Sequence, residues 1–214
     1  MNRRAITVIS TVGVMLTAVY FVGCSTATTD VKQVPTPERV YGTAPRDDAG
    51  AAAAFTSFVA VLRHPRCLNC HSTGDFPRQG TDGHPHAMDV RRGPDGHGVT
   101  AQKCSTCHQD HNLAGANMPP GAPNWGLPPA NMPMIWLGLT DAQICEQLKD
   151  PAQNNHRTID QIVGHMTTDK LVAWGWHPGE GRTPVPMGHD EFSAKVQQWA
   201  AKGAACPAKP ISPM

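Results

Sequence analysis

Apolar and polar positions alternate along the chain in a few distinct regimes. From Ala5 to Val22 the residues form an apolar run broken by Ser and Thr, with Arg3 and Arg4 in front. A charged start followed by a hydrophobic middle predicts a secretory signal over residues 1–23. The run is also just long enough to cross a bilayer, so an uncleaved anchor is the alternative. Ser25 to Gly50 mixes Thr, Pro, Asp and Arg without period, which predicts a flexible tether over 24–50. From Ala51 onward, Phe55, Phe58, Val59 and Leu62 recur at helical spacing and predict a helix. Phe76 to Val99 is punctuated by glycine, and Asn112 to Pro133 by proline, so both are expected to be long loops. The second should be an extended wrap that covers something.

The final third turns helical again. Thr140 with Gln143, and Thr158 with Gln161, each form a capping-box pattern ahead of an apolar face. The first helix should turn Ile144, Cys145 and Leu148 inward and stop at Asp150-Pro151; the second should bury Ile159, Ile162, Val163 and Met166. A last helix is expected from Asp190 to Lys202, with Phe192, Val196 and Trp199 inward and Gly203 closing it. No strand pattern of any length appears. The fold class is therefore mainly α with long irregular loops, a single domain over 51–207 and a short tail over 208–214.

Composition adds one constraint. Glycine and proline number 20 each in 214 residues and aromatic content is low, which predicts a protein core too thin to stand alone. Charge adds little: 18 basic residues face 17 acidic ones, and no basic patch with interleaved aromatics marks a nucleic-acid surface.

The chemistry lies in a pentapeptide written twice, Cys67-Leu68-Asn69-Cys70-His71 and Cys104-Ser105-Thr106-Cys107-His108. Cys-x-x-Cys-His is the attachment signature of haem c. Two thiols on one turn each bond a vinyl group of one porphyrin, and the adjacent histidine ligates the iron from below. Two complete copies imply two haem c groups whose iron ligands include His71 and His108. The copies begin 37 residues apart, too close for two separate haem domains, so the haems should share one domain and exchange electrons. They would also provide the missing apolar bulk. A zinc ribbon or a dithiol redox site are the competing uses of such cysteines.

Each iron also needs a distal ligand or an open position, and this separates carriers from catalysts. His86, in a loop able to fold over either haem, and His165, on the inward side of the helix after Thr158, are the leading candidates. Met88, Met118 and His111 follow. Arg91 and Arg92 are candidates for pairing with haem propionates, against the alternative of a solvated loop face. Of the remaining cysteines, Cys145 and Cys206 should form a disulfide in an exported protein, with two buried free thiols as the alternative. Phe21-Val22-Gly23-Cys24 resembles a bacterial lipoprotein signal, which implies lipidation at Cys24 and membrane tethering on the periplasmic side. By the same resemblance, Ser25 after the cysteine favours the outer membrane.

At the two motifs the chain resembles bacterial dihaem c-type cytochromes. That implies a dihaem cytochrome c-like domain acting in electron transfer between redox partner proteins. The stretch from Phe58 to Pro207, with Pro85-His86 and Trp174-Gly175-Trp176, also resembles small dihaem proteins labelled as subunits associated with isoquinoline 1-oxidoreductase. This resemblance implies a larger oxidoreductase complex with a molybdenum hydroxylase as donor. A haem enzyme of dihaem peroxidase type, with one open coordination position, and a haem-based sensor or assembly subunit are the alternatives.

Overall fold

The structure, a computed structural model, describes Tyr41 and residues 45–209. The expected signal segment, Cys24, most of the tether and the end of the tail lie outside the described residues. Helix α1 runs Asp48–Leu62, so it begins inside the stretch expected as tether. The cause is local. Asp47 Oδ1 accepts a hydrogen bond from Gly50 N at 2.8 Å, capping an alanine-rich first turn. The short helix α2, Pro65–Leu68, follows at once, with proline at its start and His64 as its cap.

Both predicted capping boxes form. Thr140 opens α3, Asp141–Lys149, and Thr158 opens α4, Ile159–Thr168; in each the threonine hydroxyl and the glutamine side chain bond reciprocally. Asp169 then caps α5, Lys170–Ala173, which runs into a 3-10 turn at Trp174–Trp176. The last helix, α6, spans His189–Ala201. Gly203, at φ 103, closes it while Ala204 N bonds Trp199 O at 2.9 Å.

Helix α1 packs on α6, α4 on α6, and α3 on α1. Phe55, Phe58, Ile144, Val196 and Trp199 are completely buried. The aromatic rings meet edge-on, with Phe55 5.0 Å from Phe58 and Phe58 5.6 Å from Phe192. Burying each such side chain contributes about 1.5–3 kcal/mol. Helices far apart in sequence thus bring few but large aromatic residues together. Cys145 on α3 is bonded to Cys206 beyond α6, and Lys202 pairs with Asp47.

The remainder is the loop half. Two small antiparallel hairpins punctuate it: β1, Arg78–Gln79, with β2, His84–Pro85; and β3, Gly98–Val99, with β4, Gln102–Lys103. Arg92, 2% exposed, joins the two long loops by donating to Pro128 O at 2.7 Å and Gly74 O at 3.3 Å. It does not lie on a solvated face, whereas the exposed Arg91 pairs with Asp89. Among the described residues no helix is long and apolar enough to cross a membrane.

Candidate haem centres

The two pentapeptides fold alike. Cys70 N and His71 N both donate to Cys67 O, at 3.2 and 3.0 Å; Cys107 N and His108 N both donate to Cys104 O, at 3.2 and 2.9 Å. In each copy one tight turn therefore carries both thiols, with the histidine at its end. Helix α1 delivers the first turn through α2, and the β3–β4 hairpin delivers the second through a 3-10 turn at Cys104–Thr106.

The proline-rich wrap and the residues just after it reach both histidines. His71 Nδ1 donates to Met134 O at 2.9 Å, and the ring stacks on Trp136 with centroids 3.7 Å apart. His108 Nδ1 donates to Pro120 O at 2.6 Å, and its ring stacks on Trp125 at 4.6 Å. A carbonyl oxygen can only accept, so Nδ1 carries the proton in both rings. Nε2 then has its lone pair free for a metal. Bonding the far nitrogen in this way is how metal-ligating histidines are generally oriented. Burial, the largest influence, pushes the His71 imidazole down to about 3, so that ring is neutral at physiological pH. His108 shifts down for the same leading reason.

Around the first turn lies a cavity of about 440 Å³, within the range of cofactor sites. Cys67, Cys70, His71 and His165 line it, and Leu62, Met166, Val172 and Trp174 give it apolar walls. His165 belongs to α4 and donates from Nδ1 to Asp169 Oδ2 at 3.1 Å, which leaves its Nε2 free as well. Trp136 Nε1 and Ser72 Oγ, on and beside this site, are buried without a partner among the described residues. A bound group bearing carboxylates fits that deficit.

The second turn is shallower, with Cys107 exposed and Cys104 partly buried. The loop carrying His86 brings its ring 6.0 Å from that of His108, centroid to centroid. Two imidazoles on opposite sides of one metal, each bonded at about 2.0 Å, place their ring centres about 6 Å apart. His86 Nδ1 donates to Ala87 O at 2.8 Å, so its Nε2 is also free. The residues present therefore fit two flat iron-centred groups, each with a histidine at its turn and a second histidine near it.

Of the other distal candidates, Met88 is 77% exposed, Met118 is 42% exposed and His111 lies at the surface. Met88 sits at φ 67 in the 3-10 turn after His86. Several contributors carried no sequence signal, notably the carbonyls of Pro120 and Met134, since any residue supplies one. His97 also escaped notice: it lines the cavity wall and donates to Trp125 O at 3.1 Å. Trp125 meets Trp174 edge-on at 5.0 Å and so stands between His108 and the first cavity. The covering role was expected of the proline-rich wrap as a whole, not of Trp125.

Among the described residues no three His, Cys, Asp or Glu side chains converge as a metal-binding group. A redox dithiol needs a lowered thiol pKa, but burial pushes Cys67 up to about 12 and Cys70 up to about 11. The chain matches no protein-family model, no curated protein and no solved structure.

Proposed function

We propose that the chain is an electron-transfer protein holding two haem c groups, one at each Cys-x-x-Cys-His turn. It works on the exported, periplasmic side of a membrane, to which a lipid on Cys24 tethers it. The observation that carries this is the parallel treatment of His71 and His108. Each has its Nδ1 proton committed to a carbonyl, that of Pro120 within the wrap or of Met134 just after it, and each has a second histidine nearby. When bound, each haem supplies one-electron exchange at its iron. The polypeptide does the rest. Cys67, Cys70, Cys104 and Cys107 anchor by thioether bonds, and His71 and His108 ligate from the turns. His165 and His86 are assigned as the distal ligands. Trp136, Met134 and Met166 keep water from the first site, and the exposed edge at Cys107 is where redox partner proteins dock. A larger oxidoreductase is the proposed class of donor. A haem enzyme would need one axial position open, and a histidine near each turn supports a carrier instead.

The test is direct. Protein matured in a host that makes cytochrome c should show a Soret band and a mass increase of two haem groups. Cys67→Ala with Cys70→Ala should leave one. Absence of both the band and the adducts in the unmutated chain overturns the proposal.

A further inference from the structure

The four histidines differ in what receives the Nδ1 proton. His71, His108 and His86 give it to main-chain carbonyls, whereas His165 gives it to the carboxylate of Asp169. Asp169 is not free to turn away. Its Oδ1 accepts from Leu171 N at 2.8 Å and Val172 N at 3.4 Å, capping α5, while Oδ2 faces His165 at 3.1 Å. One residue thus ends the link between α4 and α5 and grips the histidine on the wall of the first cavity.

A carboxylate on the far nitrogen raises the basicity of a metal-ligating imidazole and adds a fixed negative charge beside the metal. Both effects favour the more positive, oxidised state. Resting on the two-haem reading above, we infer that Asp169 is a positioning residue that holds the potential of the His71/His165 site below its intrinsic level. It leaves the His108/His86 site untouched and so separates the two one-electron steps. Arg157, on the same cavity wall, acts the opposite way but only through space.

The experiment is a spectroelectrochemical titration of the holoprotein. The wave that disappears in the Cys67→Ala, Cys70→Ala protein identifies the first site. Asp169→Asn keeps a good helix cap and loses the charge; Asp169→Ser also caps but is too short to reach His165. Both variants should raise the first wave, changing the oxidised-to-reduced ratio at fixed potential at least tenfold, which is about 59 mV for one electron. The second wave should stay in place. Thermal melts confirm that each variant is folded, and the serine variant decides if the asparagine one is not. Two waves that both stay put, or that both move equally, overturn this inference alone. An unmutated protein with no Soret band and no waves overturns the two-haem reading and this inference with it.

Discussion

His86 and His108 lie with ring centroids 6.0 Å apart and both Nδ1 protons committed to carbonyls, so Nε2 is free in each. Removing one should therefore open one axial position and nothing else. His86→Ala in the holoprotein should convert one of two haems to a high-spin state that binds cyanide, while the other stays low-spin. His165→Ala should do the same to the other haem. Electron paramagnetic resonance of the oxidised protein reads this, and an unchanged low-spin spectrum in His86→Ala would remove that histidine from the ligand set. His86 and His165 could be nominated from sequence because they sit on a mobile-looking loop and an inward helix face. Their assignment to particular turns could not, since it depends on loop closure that no local pattern encodes. The stacking of Trp125 and Trp136 on the turn histidines was hidden for the same reason.

The helices were legible because their signals are local. Thr140 and Thr158, each three residues ahead of a glutamine, cap helices α3 and α4 as their spacing implies. Helix α5 and the turn after it were not, because four residues are too few to show a period and their cap, Asp169, also bonds a histidine. Between elements the Cys145–Cys206 link matters most, tying α3 to the chain beyond α6 across 61 residues of sequence. Closing a loop of that size should contribute about 4 kcal/mol through the unfolded chain. Cys145→Ala with Cys206→Ala should therefore lower the urea midpoint by the equivalent of that figure without altering either haem spectrum. A change below ~1 kcal/mol would mean that the helical core alone holds these ends together.

On the scale of the whole molecule, the chain has two halves of different character. Helices α1, α3, α4 and α6 bury Phe55, Phe58, Ile162, Phe192 and Trp199 against one another. The stretch from Phe76 to Leu137 has only two-residue strands and 3-10 turns, and it meets the rest largely through hydrogen bonds such as Asn117 N to Glu180 O, Arg182 to Met118 O and His71 to Met134 O. High glycine and proline content in that stretch dominates the composition averaged over the whole chain, which is why a thin core was expected. Segments with few buried apolar contacts open at lower free energy than packed helices do. A chain with Cys67, Cys70, Cys104 and Cys107 all changed to Ser, and therefore without covalent haem, should keep most of its far-ultraviolet helix signal. Limited proteolysis should cut it first between Phe76 and Leu137, a stretch the holoprotein protects, and mass mapping of the first fragments locates the cuts. Loss of the helix signal, or first cuts inside α1 or α6, would instead make the porphyrins part of the core that holds the helices.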